Sequence, residues 1–146
     1  LDPKTRAVNS ADRRLIHAVA RASLAGIWIY QGVVPKLLQP ATSGELDLLR
    51  ASHMFEGHEE TVLPLVALGE IGFGLLLLLL WRQRLVLHVN NAVLVLLLIG
   101  AIVGMPALLG RAFNPVTLNG AMVALGVVGV LATRSSDGGS RRSDSG

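Results

Sequence analysis

Val62-Leu-Pro-Leu-Val-Ala-Leu-Gly-Glu70-Ile-Gly-Phe-Gly-Leu-Leu-Leu-Leu-Leu-Leu-Trp81 is an apolar run interrupted by a single charge, Glu70. About 20 apolar residues rising ~1.5 Å each match a hydrocarbon core of about 30 Å, so the stretch reads as a membrane-crossing helix. A carboxylate at that depth opposes insertion by about 2.5–3.5 kcal/mol. Its charge depends on what faces it. A cation or several amide donors keep it ionised, and without them it takes up a proton. Glu70 therefore predicts a polar partner inside a helical bundle.

Of the 146 residues, 51% are hydrophobic and 16% charged, a composition far from that of a soluble domain of this length. The mean hydropathy of +0.55 agrees. Cysteine is absent, which excludes disulfides, thiol catalysis and thiolate metal ligation within these residues. An isoelectric point of about 10.2 could suit nucleic acid, but the basic residues flank apolar segments and no nucleic-acid motif accompanies them. The expected partner is the lipid bilayer, not nucleic acid.

We predict an all-α membrane protein with four transmembrane helices, near 15–38, 61–81, 85–109 and 114–133, forming one domain over 15–133. The first is the least apolar, carrying His17, Arg21, Gln31 and Lys36, and is expected to be shielded by its neighbours. The links Arg82-Gln-Arg84 and Gly110-Arg-Ala-Phe113 are short enough to force antiparallel neighbours and an up-down-up-down bundle. Lys4, Arg6, Arg13, Arg14, Arg82, Arg84, Arg134, Arg141 and Arg142 fall on one side, against Lys36, Arg50 and Arg111 on the other. The positive-inside rule then places both termini in the cytoplasm and the protein in the cytoplasmic (inner) membrane. Residues 1–14 form a cytoplasmic segment, and the polar, low-complexity stretch 134–146 is expected to be a disordered cytoplasmic tail. Arg13-Arg14 is not expected to introduce a cleaved leader, because Arg21 breaks the apolar run and no convincing small-residue cleavage site follows.

The external loop carries Thr42-Ser-Gly-Glu45, which fits a capping box with Glu45 reaching back to Thr42. Leu46, Leu49 and Met54 follow at near-helical spacing, so a short amphipathic helix is predicted over 43–55, ended by Gly57. Between helices, lipid is as apolar as leucine, and association relies on close backbone packing. Ala22-x-x-x-Gly26, Gly100-x-x-x-Gly104, Gly69, Gly72, Gly120, Gly126 and Gly129 supply the small surfaces, and Leu75 to Leu80 are expected to face lipid.

The polar residues sort by depth. Glu70 lies about nine residues, or ~13 Å, below the outer end of its helix. Tyr30 and Gln31 on the first helix lie at similar depth, and Lys36 is nearer the surface but long enough to reach inward. Asn119 is about a turn inside the fourth helix and Asn114 at its outer start. The candidate site is thus an intramembrane cluster of Glu70, Lys36, Gln31, Tyr30, Asn119 and Asn114. A second, inner-side cluster holds His17, Arg21, His88 and Asn91, with Asn90 beside it. There Arg21 is expected to snorkel and the histidines to sit at the interface; a bis-histidine haem is the bolder alternative. His53-Met-Phe-Glu56-Gly-His58-Glu59-Glu60 reads as a solvated acidic loop, and no metal centre is predicted.

Three motifs resemble the DoxX-like family of small four-helix bacterial membrane proteins. They are Trp28-Ile-Tyr30-Gln-Gly32-Val-Val-Pro35-Lys36-Leu-Leu38, Gly69-Glu70-Ile-Gly-Phe-Gly74 and Phe113-Asn114-Pro115-Val-Thr117-Leu-Asn119. The resemblance spans about residues 15–133 and implies the fold and location more firmly than an activity. The wider family takes its name from a subunit of a thiosulfate:quinone oxidoreductase, and some relatives are linked to membrane redox or thiol-stress systems. The resemblance marks Lys36, Glu70, Asn114 and Asn119 as motif positions and assigns them no catalytic role.

Three functional readings follow. The favoured one is a non-catalytic membrane subunit or scaffold for a membrane or peripheral oxidoreductase, with Glu70 and Lys36 organising the bundle. The second is a quinone-linked oxidoreductase subunit, with Glu70 handling protons beside a quinone head group held by Tyr30, Gln31 and Asn119. The third is a small transporter or lipid-handling protein opening outward past the helix at 43–55. A bound quinone is the only cofactor these readings admit, and a homo-oligomer is compatible with all three.

Overall fold

The computed structural model describes residues 3–53, 55–104 and 115–134, and every element among them is helical. Helix α1 runs Pro3–Gln31 and continues without a break into a π-helical turn, Gly32–Leu38. Then come α2 (Glu45–Ala51), α3 (Glu59–Leu79), α4 (Arg84–Gly104) and α5 (Pro115–Arg134). The helix of the first span therefore begins twelve residues earlier than the predicted 15. Pro3 suits a first helical position, where its missing N–H is no loss, and Lys4, Arg6, Ala7, Ala11, Arg13 and Arg14 after it are good helix formers.

Among the described residues, three helices can cross a membrane by length and composition: Glu59–Leu79, Arg84–Val103 and Val116–Thr133. Helix α1 is not among them, because Arg21 and the charges of its first half lower its mean. Its burial pattern accounts for that composition. Ala20, Arg21, Leu24, Ala25 and Trp28 are buried and recur as one helical stripe, while Leu15, Ile16 and Val19 on the other side are exposed. The stripe packs against α3 on one flank and α5 on the other. The predicted shielding of the first helix is what the structure shows.

Helix packing differs from the expected one at the first short link. The short link read at Arg82-Gln-Arg84 makes α3 and α4 expected packed neighbours, yet these two touch little. Helix α1 occupies the place beside α3, and α4 packs on α5. Contacts fix the directions. Along α1, Arg21, Ala25, Ile29 and Gly32 meet Leu80, Gly74, Gly74 and Ala67 in turn, so α1 and α3 are antiparallel. Arg84 meets Thr133, Leu87 meets Gly129 and Asn91 meets Gly126, so α4 and α5 are antiparallel too.

Leu24, Ala25, Trp28, Leu77, Leu87, Leu94, Met122 and Val130 make the core. The outside is as apolar as the inside: Leu79, Val103, Leu85 and Leu96 are between 68% and 77% exposed, the surface a lipid-facing bundle requires. Within Leu75 to Leu80 the expectation of lipid exposure holds for all but Leu77, which is fully buried in the core.

The outer helix is shorter than predicted, 45–51 instead of 43–55, and the capping box does not form. Gly44 caps it with φ +79°, a left-handed conformation that glycine adopts without strain. Ser43 Oγ, not Thr42, accepts the Glu45 N–H, at 3.3 Å. Ser52 ends the helix, its hydroxyl donating to Leu49 O at 2.7 Å, and Gly57 instead turns the chain into α3. Met54 lies outside the described residues.

Candidate functional site

Pro35 starts the site. It has no N–H to offer the Gln31 carbonyl four residues back, so the ladder widens there into the π-helical turn. The turn swings Lys36 inward, and its ammonium donates to the same Gln31 carbonyl at 3.4 Å. Lys36 is only 7% exposed. Its Nζ lies 3.0 Å from Glu70 Oε2 on α3 and 3.4 Å from Glu45 Oε2 on α2. One cation thus ties together the π-helical turn, α3 and α2. The Glu70 contact is held by charge, since Oε2 is buried and no donor among the described residues is aligned for a hydrogen bond to it.

Close backbone approach puts these groups within reach. A Cβ on Gly32 would sit 2.6 Å from Ala67 O and 2.7 Å from Ile71 Cγ1, and one on Gly74 would sit 2.7 Å from Ile29 Cγ1. Glu70 lies on α3 between those two crossings. Gly32→Ala should push the π-helical turn off α3 and lower stability by about 1–3 kcal/mol. Gly72→Ala, where a Cβ meets nothing within 4 Å, should be neutral or slightly stabilising. Melting of both variants in the same detergent checks the contrast; equal effects would mean that the backbone approach at Gly32 does not set the packing.

The structure brings together part of the predicted cluster. Lys36 and Glu70 pair directly, and Gln31 contributes its backbone carbonyl. Tyr30 is 58% exposed and turns away. Asn119 is half-buried on α5 and makes no hydrogen bond to the pair, and Asn114 lies outside the described residues. Glu45 is the member that sequence reasoning missed. Its side chain was assigned to a cap, although an acid on a short helix lying over a buried lysine was the available signal.

The inner cluster separates into two places. Arg21 is fully buried instead of snorkelling, and donates through Nη1 to Leu80 O and Nη2 to Gln83 O, both at 2.6 Å. It pins the turn between α3 and α4, adding a second donor to the Leu80 carbonyl, which already accepts the Gln83 N–H at 2.9 Å. Trp81 lies beside this guanidinium, 6.0 Å away, and packs edge-on against His17 at 5.7 Å. Arg84 makes a similar contact at the end of α5, donating to Thr133 O at 2.9 Å. His88 and Asn91 instead line a small open cleft between α4 and α5.

A buried hydrogen bond crosses the core that the sequence did not reveal. Trp28 Nε1 donates to Asn90 Oδ1 at 2.8 Å, with Phe73 edge-on to the indole at 5.2 Å. Asn90→Leu leaves the indole N–H unpaired and should reduce stability by about 1–3 kcal/mol. A detergent melt checks this, and an unchanged midpoint would mean that the bond contributes nothing net.

In the outer loop His53 Nδ1 lies 2.8 Å from Glu56 Oε1, and Arg50 reaches Asp47 and Glu60 at 3.6 Å each. Among the described residues no group of three or more His, Asp and Glu side chains is placed to hold a metal.

No curated protein and no solved structure matches the chain. The model of the DoxX-like family matches residues 25–127, a stretch that includes the π-helical turn, Lys36, Glu45, Glu70 and the Trp28–Asn90 bond. With apolar membrane-spanning helices and a match across most of its length, this chain belongs to the DoxX-like family.

Proposed function

We propose that the protein is a four-span subunit or scaffold of the cytoplasmic membrane, non-catalytic by itself, that serves a membrane-associated redox partner. Four spans follow if α1 crosses with the others, its polar groups turned to α3 and α5. Both termini are then cytoplasmic in an up-down-up-down arrangement. The charge asymmetry sharpens on the outer side, because Lys36 is bound to two carboxylates and Arg50 to Asp47 and Glu60.

The observation that carries the reading is the engagement of Lys36 on every side. Glu70, the one acid deep in a span, is used to fix the π-helical turn and α2 upon α3. Of Tyr30, Gln31 and Asn119, which would hold a quinone head group beside it, only Gln31 meets the pair, and through its backbone carbonyl. The redox character of the partner comes from the family resemblance, and with no cysteine within these residues the thiol or cofactor chemistry would belong to that partner.

A second reading, the quinone-linked subunit with Glu70 handling protons, is favoured by one observation. The cluster has two carboxylates for one cation, and Glu70 Oε2 lacks an aligned donor. The transport reading is disfavoured by α2, which packs over both the π-helical turn and α3. Purification in mild detergent separates the first two. On the scaffold reading, Glu70→Gln still comigrates with an oxidoreductase subunit, and the isolated chain does not turn over a soluble ubiquinone analogue. Turnover by the isolated wild-type chain, lost in Glu70→Gln, would replace it with the second.

A further inference from the structure

Two asparagines and a tryptophan form a hydrogen-bond chain whose direction is set by chemistry. The indole N–H can only donate, so the Asn90 atom 2.8 Å from it is the carbonyl oxygen. The amide nitrogen of Asn90 then faces Asn91 at 3.2 Å, where it needs an acceptor, so that atom of Asn91 is its oxygen. Asn91 is left with its NH2 group as the end of the chain. Asn91 is also one of the residues lining a cleft of about 210 Å³ between α4 and α5, with His88, Val127, Val130 and Leu131. Gly126 permits this placement, because a Cβ there would collide with the Asn91 carboxamide.

A donor at the end of two aligned hydrogen bonds is strengthened by polarisation along the chain. His88, exposed beside it, adds an imidazole that donates or accepts. The floor of the cleft is apolar, and none of its lining residues is a Lys or Arg. The cleft thus suits a neutral oxygen acceptor on an apolar body more than a free anion.

Depth narrows the choice further. Arg84, bonded to Thr133 O, marks the interfacial end of the α4/α5 pair. His88 and Asn91 lie about 6 Å and about 10 Å further along α4. The head-group zone is about 5–8 Å deep on each side of the hydrocarbon core, so the cleft lies at its inner boundary. That is the level of glycerolipid ester carbonyls. We propose that the α4/α5 cleft is a binding site for a bilayer glycerolipid, with an ester carbonyl accepting from Asn91 Nδ2 and His88, and an acyl chain along Val127 and Leu131.

The test uses the full chain in nanodiscs of dioleoyl phosphatidylglycerol and of its diether analogue, which lacks both carbonyl oxygens. Lipid kept through delipidation is counted by native mass spectrometry, and the Trp28 indole N–H resonance is followed with Trp81 as internal reference. The expected result is at least threefold greater retention of the ester lipid and a Trp28 resonance that differs between the two lipids. Asn91→Leu should abolish both differences. His88→Ala, on an exposed side chain that folding does not need, should at least halve the retention ratio. Equal retention of ester and ether lipid by the wild type would overturn the proposal. So would a preference that survives both substitutions, or one that follows head-group charge in a phosphatidylcholine comparison regardless of linkage.

Discussion

Lys36→Met is expected to destabilise the protein by about 3–5 kcal/mol, the range for stripping the partner from a buried charge. Lys36 and Glu70 have side chains only 8% and 17% exposed, so Glu70 cannot turn to water when the ammonium is removed. Glu45, with 25% of its side chain exposed, has an escape route, and its share of the loss should be smaller. Adding Glu70→Leu to Lys36→Met should recover most of the stability, because an apolar pair of similar volume leaves no unpaired charge. Unfolding of the single and double variants by dodecyl sulfate in mixed micelles measures both steps. If the double variant is no more stable than Lys36→Met, the loss does not come from the orphaned carboxylate.

Arg21→Met should destabilise the protein by about 3–6 kcal/mol, since it removes two hydrogen bonds from a charged donor at roughly 1.5–3 kcal/mol each. Both carbonyls it leaves, of Leu80 and Gln83, belong to the turn between α3 and α4. Arg21→Lys should recover only part of the loss, because an ammonium lacks the planar fork that reaches two carbonyls at once. The readout specific to this contact is Trp81, 6.0 Å from the guanidinium. Its fluorescence should shift to the red in Arg21→Met as the turn opens to water. A destabilised variant with unchanged Trp81 emission would assign Arg21 to packing alone.

These two cations show how far the sequence could be read. Both were visible as charges within or beside an apolar segment, and Lys36 was placed near Glu70 by counting depth along two helices. Depth counting works because a straight helix advances by a fixed rise per residue. It does not report rotation around the helix axis, and rotation decided the rest. Tyr30 shares the depth of Gln31 yet faces outward, while Trp28, two residues earlier, faces the core and donates to Asn90. Arg21 has the composition of a snorkelling residue. It stays buried because the turn between α3 and α4 brings two backbone carbonyls to its guanidinium.

The apolar run around Glu70 by itself determined that the chain is helical and crosses a membrane. A bilayer leaves no other way to satisfy the backbone of so long an apolar stretch. The sequence also determined that Glu70 needs a polar partner, and the family motif contains a candidate in Lys36. Only the tertiary structure decided which groups complete the site. The π-helical turn at Pro35 rotates Lys36 toward α3, and the contact of Gly32 with Ala67 brings the two backbones close. Glu45 then arrives from a helix that the sequence had capped differently. The order of helices likewise came from packing, because a short link fixes where two helix ends are, and side-chain fit fixes which flanks meet.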